Sequence, residues 1–440
     1  MGELVNARTA AERLGVDVRT LYAYVSRGAL RRVPGPDGRS SRYDSDELDL
    51  LARRSRPRTL PRPAASIDLI IATRVSTVTD GMVRYRGTDV LDLVRAQQPF
   101  ERVADLLWQA PPPESGARWP LPDAGEQSAL PLPNEIPVLH RFAIALAAPP
   151  NASSPGDTAA GDTAPRDTDR GDAAPDVASG PCAPDWPSWG RRTISRLIDA
   201  SGPPPRDHGH PERHGPAERP GVPTGAGPAD VPIGAGPADV PIGASPAVDA
   251  HGAGLVDPVA LRLWRRWSPL RATARRVRAL DLALVLLAEH ELALSTLSVR
   301  VAASARATPA SCLLAGLSTL SGSLHGGAAR TVHEQLAARE PVVTGFGHPV
   351  HRHGDPRVTP LLEAVYAVAT PADRQLIETA HREAPKPLNE DFALGALTYT
   401  ARMPAEAASA IFAIARVAGW IAHAAEEYDE PPLRFRGRAS

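Results

Sequence analysis

Four polar islands interrupt an otherwise apolar C-terminal half, and they hold most of the side chains able to do chemistry. They are Glu289-His290-Glu291, SGSLHGGAAR (Ser321 to Arg330), GFGHPVHRHGDPR (Gly345 to Arg357) and LNEDFALGAL (Leu388 to Leu397). His325 is followed by two glycines and then by AARTVHEQLAA, which reads as a helix, so its imidazole is expected near a helix N-terminus. The positive end of the helix dipole favours a neutral imidazole there, able to donate a hydrogen bond to a carbonyl oxygen. Asp391 falls in a largely apolar run, where partial desolvation makes a carboxylate more basic. A neutral donor and a basic carboxylate suit removal of a proton α to a carbonyl. Arg352, Arg357, Arg416, Arg434 and Arg436 can clamp carboxylates or phosphates through paired N–H donors. Metal ligation is the other chemistry open to these histidines. No pair within the islands has the i, i+4 spacing of an HExxH helix, and His351 and His353 share a turn, so no metal is expected.

The elements that carry these islands read as helices. After Leu261 the chain is rich in Ala, Leu and Val, as in RALDLALVLLAEHELALSTLSVRVAASARA and AEAASAIFAIARVAGWIAHAAEEY, without alternating strand patterns. The expected body is therefore all-α. Residues 1–60 form a separate unit. A helix is expected from Thr9, as cap, to Leu14, with Glu12 at the capping-box position. A turn at Gly15-Val16-Asp17 then leads to a second helix over Val18–Ser26. Ala10, Ala11, Leu14, Val16, Leu21 and Val25 would face inward, LRRVPGPDGRSSRY would make a small wing, and a third helix would start at Asp44. These 60 residues hold 12 Arg against 8 Asp and Glu, a net +4 in a chain whose total is −1.

Composition places the rest. The chain has 440 residues, 47 of them proline and 35 glycine, too many for packed core throughout. The excess gathers in a Gly-Asp-Thr-rich tract from Ala148 to Asp185, and in a second tract from Gly202 to Val256 carrying two copies of GAGPADVPI. Both read as disordered inserts, because two Pro-broken copies do not make a calcium-binding β-roll. A core helix is expected between them near residues 186–201, with Trp189, Ile194, Leu197 and Ile198 on one face. Cys182 and Cys312 are too few for a disulfide scaffold, and Lys386 is the single lysine beside 48 arginines, so a bound anion would be held by guanidinium groups. The start MGELVNARTA has no apolar signal core and no run of 18 apolar residues occurs, so a cytoplasmic protein without membrane contact is expected.

SLHGGA, GFGHPVHRHGDPR and NEDFALGAL, in this order and spacing, resemble the signature segments of the citrate synthase family. The likeness extends to EHELALSTLSVRVAAS, FAIARVAGWIAHAAEE, DGMVRYRGTDVLDLV and FERVADLLWQ. It implies a large helical domain from residues 66–147, 257–326 and 402–440, a small one from 327–401, and inserts with one helix over 148–256. It also implies a homodimer, with acetyl-CoA as a substrate and no cofactor. By the resemblance His325 polarises the acetyl-CoA thioester, Asp391 removes the methyl proton, and His348 activates the oxaloacetate carbonyl. His290, Arg357 and Arg416 would hold the oxaloacetate carboxylates. Arg436, or alternatively Arg434, would reach into the site of the other subunit, and Arg352 would face the CoA phosphates. Residues 1–60 resemble the winged helix-turn-helix of the MerR and excisionase type. That likeness would bring Arg19, Thr20, Tyr22 and Tyr24, with Arg39 and Arg42 on the wing, to DNA.

The family pattern is not kept everywhere. Glu289 stands where Asp is usual, Ser323 where Pro is usual and Ala329 where Asn is common, and the segment commonly written Asn-Val-Asp is Asn389-Glu390-Asp391. The expected reaction is condensation of acetyl-CoA with oxaloacetate and water to citrate and CoA. The alternatives are 2-methylcitrate synthesis from propionyl-CoA, a DNA-binding regulator sensing CoA esters or dicarboxylates, and a pseudo-enzyme scaffold.

Overall fold

In the computed structural model the described residues are 70–111 except 80, 135–148, 183–202, 257–348 and 350–436, most of 4–14, 30–35 and 41–45, and a few single positions. Arg19, Thr20, Tyr22, Arg39, Cys182, the tandem repeat and nearly all of both Pro/Gly-rich tracts lie outside them.

Near the N-terminus, β1 (Leu4–Asn6), β2 (Val33–Pro34) and β3 (Ser41–Asp44) pair antiparallel in the order β1-β3-β2. Helix α1 spans Ala7–Leu14, two residues ahead of the expected start. Its cap is Asn6, whose Oδ1 accepts the Thr9 N–H at 3.0 Å, because Thr9 already lies in the first turn and supplies a donor in need of a cap. Ala10, Ala11, Leu14, Leu21, Leu30, Tyr43 and Leu48 form a small core of their own, against which Val16, Tyr24 and Val25 pack partly buried. Arg42, on β3, donates to the Leu4 carbonyl at 3.5 Å.

The body is not purely helical. Strands β4 (Ser76–Thr79), β5 (Met82–Tyr85) and β6 (Thr88–Asp89) form a second antiparallel sheet, a small addition to the helical body expected. Strands of two to four residues are too short to print an alternating pattern, and the β4–β5 turn is made by Gly81 at φ 77. Asp89 ends the sheet and caps α2 (Val90–Arg95), accepting the Leu91 N–H at 2.8 Å. The following helices are α3 (Phe100–Leu107), α4 (Val138–Ala147), α5 (Trp186–Ala200), α6 (Val259–Trp267) and α7 (Ala274–Leu287). They continue with α8 (Leu294–Ser304), α9 (Pro309–Leu320), α10 (Ala328–Ala338), α11 (Val358–Val368), α12 (Pro371–Arg382), α13 (Glu390–Thr400) and α14 (Glu406–Tyr428). In α5, Ile194, Leu197 and Ile198 are buried and Trp189 partly so, the face expected of it.

Helix α14 is the axis of the body. It is long and apolar enough to cross a membrane by length and composition, yet 89% of its apolar window is buried within the fold by α4, α5, α7, α8, α9 and α10. Its many alanines, and Gly419, let neighbours approach the backbone. A Cβ on Gly419 would overlap the Glu289 carboxylate and stand 2.7 Å from the Ala288 carbonyl, while the Gly419 N–H donates to that carbonyl at 3.2 Å.

One buried carboxylate of the body makes no ion pair among the described residues. Glu101 on α3 is 2% exposed, and its Oε1 accepts the Val259 N–H at 2.6 Å, which caps α6. Burial, reinforced by Asp281 close by, pushes its carboxyl up to about 8. The folded protein then holds a proton that the unfolded chain releases above about pH 4.5, so this group's contribution to stability falls as pH rises between about 4.5 and 8. Glu101→Gln keeps the acceptor for Val259 and removes the titration. Thermal melting from about pH 5 to about pH 9 is therefore expected to fall less steeply in the variant than in the wild type; identical slopes would contradict this.

Candidate active site

The site forms where three turns meet the end of α7. Tyr85 on β5 fixes the first. Its buried hydroxyl lies 2.9 Å from the Glu289 carbonyl and 3.2 Å from those of Val285 and Leu286, so it closes the last turn of α7, and burial pushes it up to about 12. His290 follows, 6% exposed, with burial and the Arg357 cation holding it well below the usual imidazole range. Glu289, the residue in place of the usual Asp, points the other way: Oε1 accepts from Ser76 Oγ at 3.3 Å and lies 3.3 Å from His423 Nε2. Burial alone would raise its carboxyl, but His423 and Arg416 hold it below its ordinary value.

The second and third turns are zipped together. Gly347 N donates to Pro387 O at 2.6 Å, Asn389 N to Gly345 O at 2.9 Å, and Asn389 Nδ2 to Gly347 O at 3.0 Å. Asn389 also caps α13 through the Phe392 N–H at 3.4 Å. This fixes His348 on one segment against Glu390 and Asp391 on the other, with Asp391 8% exposed. His348 Nδ1 accepts the backbone N–H groups of Val350 and His351 at 3.2 and 3.3 Å, which places the ring proton on Nε2 as a donor. The rings of His290, His348 and His351 stand 4.8 to 5.1 Å apart, and His290 Nε2 lies 2.9 Å from His351 Nε2.

His290, His348 and His351 are also the one group among the described residues whose ligand atoms, all within 4.8 Å of one another, could hold a metal. The donor set fits poorly. His348, with Nδ1 accepting, keeps a proton on Nε2, and Arg357 and Arg416 bring two positive charges beside His290.

The two expected carboxylate-holding arginines differ sharply. Arg357 is fully buried and engaged: Nε and Nη2 grip Asp355 at 3.0 and 2.6 Å, Nη1 donates to Leu286 O at 3.3 Å, and Nη2 lies 3.3 Å from Glu390 Oε2. Arg416 is 2% exposed, lies 5.0 Å over the Phe412 ring, and donates from Nε to Leu287 O at 3.0 Å. It makes no ion pair among the described residues, its terminal NH₂ groups have no hydrogen-bond partner there, and burial lowers its pKa. A buried cation is normally paired, so an open guanidinium is a seat for an anion.

His325 sits in the turn before α10, half-buried, with Nε2 2.9 Å from Ser295 Oγ at the start of α8. Arg352 and Arg436 are exposed. Arg434 is bound to Glu427 through Nε and Nη2, each at 2.6 Å. Sequence reasoning missed Asp355, Glu390 and Ser295 as site residues and placed His351 only as half of a turn pair. Asp355 and Glu390 lie inside two of the polar islands, and Ser295 follows the Glu289-His290-Glu291 island by four residues.

Residues 256–436 match the family model described as the citrate synthase C-terminal domain. The chain is 34% identical, across 177 residues, to a citrate synthase of Mycolicibacterium smegmatis, covering 34% of this chain and 47% of that one. It is 33% identical across 182 residues to 2-methylcitrate synthase 2 of Corynebacterium glutamicum, covering 36% and 47%. A citrate synthase 2 of Bacillus subtilis is 31% identical across 187 residues, covering 37% and 50%. The chain thus spans about half the length of these curated relatives. In three dimensions it is similar to the Thermotoga maritima citrate synthase, with TM-score 0.51, 18% identity, and 87% and 97% of the two chains covered. It is also similar to a Thermoplasma acidophilum citrate synthase in ternary complex with carboxymethyl coenzyme A and oxaloacetate, with TM-score 0.50, 21% identity, and 84% and 93% covered. These likenesses give the body a citrate-synthase-like helical fold.

Asn389 joins the two segments that carry His348 and Asp391. Asn389→Ala removes a helix cap and a cross-segment hydrogen bond, and is expected to cost about 1–2 kcal/mol in urea unfolding. An unchanged midpoint would show that the zipper does not depend on this side chain.

Proposed function

We propose that this chain is a citrate synthase, joining the methyl carbon of acetyl-CoA to the carbonyl carbon of oxaloacetate and releasing citrate and CoA after hydrolysis. The observation that carries the reading is Arg416, a buried guanidinium with open terminal donors, set beside His290 and the Nε2–H of His348. An anionic substrate with a carbonyl fits that arrangement. A carboxylate seated on Arg416 presents the carbonyl to His348, whose Nε2 proton neutralises the oxygen as the new bond forms. With Ser295 Oγ, 2.9 Å away, as donor to His325 Nε2, the ring proton lies on Nδ1 as a donor for the thioester oxygen. Asp391, in the first turn of α13, is the base for the methyl proton. Exclusion of water on closure would strengthen each of these charge contacts.

The 2-methylcitrate reading stays as the second one, because the relatives include a 2-methylcitrate synthase and the substrates differ by one methylene, worth about 1–3 kcal/mol of discrimination. Exposure of Arg436 fits a role across a homodimer interface in the site of a second copy. The +4 charge of residues 1–60 and their three-stranded sheet support a winged-helix contact with duplex DNA.

Thiol release from acetyl-CoA in the presence of oxaloacetate tests the reaction. Asp391→Asn is expected to lower kcat by about 10²–10⁴-fold while KM for oxaloacetate changes little. No thiol release by the wild type with acetyl- or propionyl-CoA would refute the assignment.

A further inference from the structure

Glu390 puts a carboxylate where the proposed reaction needs room for one. It stands between Asn389, which caps α13, and Asp391, the proposed base. Its side chain is 12% exposed, with Oε2 3.3 Å from Arg357 Nη2 and Oε1 3.8 Å from His348 Nε2. Arg357 therefore carries two internal carboxylates, Asp355 along one edge and Glu390 along the other, whereas Arg416 carries none. A substrate with one carboxylate can use Arg416 without disturbing anything. A substrate with two needs a second cation, and Arg357, the other buried guanidinium here, is already engaged by Asp355 and Glu390.

Resting on the citrate synthase reading of this site, we propose that Glu390 is a specificity-determining residue of the acceptor pocket. Its carboxylate competes with the second carboxylate of oxaloacetate for Arg357, so the dicarboxylate binds with uptake of one proton. A 2-oxo acid with a single carboxylate binds without that coupling.

The surroundings of Glu390 support the exchange. The charged and titratable groups facing it are Arg357 and Asp355 from the turn before α11, His348 from the turn at 345–350, Asp391 from its own helix and Arg416 from α14. Burial raises the Glu390 carboxyl most, Arg357 opposes this, and the Asp355 and Asp391 carboxylates raise it further, to about 7. Asp355 lies within hydrogen-bonding reach, so a protonated Glu390 can donate to it and release Arg357. An ionised Glu390 cannot yield that place to a second anion without leaving two carboxylates against each other. Binding of a dicarboxylate is thus strong below about pH 7 and weakens as pH rises through it. No bond is made or broken in this step; the proton comes from solvent and returns there when the ligand leaves.

Isothermal titration of the full chain with oxaloacetate and with pyruvate, in two buffers of different ionisation heat, reads the coupling directly. Above about pH 7 the wild type is expected to take up about one proton per oxaloacetate and to lose affinity about tenfold per pH unit. Pyruvate is expected to shift less than about threefold over the same range. Glu390→Gln should abolish the proton uptake and leave oxaloacetate affinity flat with pH, with Glu390→Val behaving the same way. The wild-type pH series needs no variant, so the test survives a substitution that impairs folding. Oxaloacetate binding without proton uptake, equal coupling with pyruvate, coupling retained in Glu390→Gln, or no oxaloacetate binding at all would each overturn the proposal. Thiol release judges the reaction separately: if it persists in Asp391→Asn the citrate synthase mechanism falls, while proton-coupled binding at Glu390 is unaffected.

Discussion

The pairing of buried charges at the C-terminal end of α14 with Arg300 organises the body. Arg300 on α8 has no solvent exposure, and its Nη1 reaches Glu426 at 2.7 Å and His423 Nδ1 at 2.9 Å, while Nη2 reaches Glu427 at 2.8 Å. His423 in turn meets Glu289, and Glu426 accepts from Thr73 and from the Arg74 backbone. Breaking a buried pair from one side leaves an uncompensated charge and costs about 3–5 kcal/mol, so these contacts constrain register even where they add little net stability. They tie α14 to α8, to the chain before β4 and to the end of α7 in one alignment. That alignment sets His290 and Arg416 side by side.

The site is then a contrast between satisfied and open charges. Arg300 and Arg357 are paired with protein carboxylates, and Arg416 makes no ion pair among the described residues. An unpaired buried cation is costly, and its cost is offset only when an anion arrives. The energy stored in leaving Arg416 open is thus available to hold and orient a ligand, and the rigid frame around α14 keeps the guanidinium from relaxing toward Glu289.

Much of this was legible in the sequence, and the rest was hidden for physical reasons. The islands stood out because Gly, His and Arg are rare inside apolar helices, and helical periodicity placed Ile194, Leu197 and Ile198 on one buried face. The β4–β6 sheet was hidden because strands so short leave no alternation to read. Glu101 looked like an ordinary exposed helix position, since nothing local shows that Val259 will bring an N–H to it. Glu390 registered as a departure from a motif, but its meaning depends on Asp355 and Arg357, more than thirty residues away and adjacent only through the zipper at Gly347 and Asn389. Partner choice among charges is a tertiary property. The helix-turn-helix reading of residues 1–60 stands on a small separate core and sheet, with most of its proposed DNA-facing residues outside the described ones.

The zipper has a consequence for how such a chain can change over generations. The segment from Val350 to Lys386 leaves and returns at one clasp, closed by the Gly347–Pro387 and Gly345–Asn389 hydrogen bonds. Within that excursion α12 has only Asp373 and Ile377 buried, and Asp373 is tied to Arg402 at 2.7 Å. Mutation there can drift, and insertions at the ends of α12 can accumulate, without moving His348 relative to Asp391. The distance between the proposed acid and the proposed base is inherited through four residues at the clasp, and the exposed positions of α12 are left to evolve at their own pace.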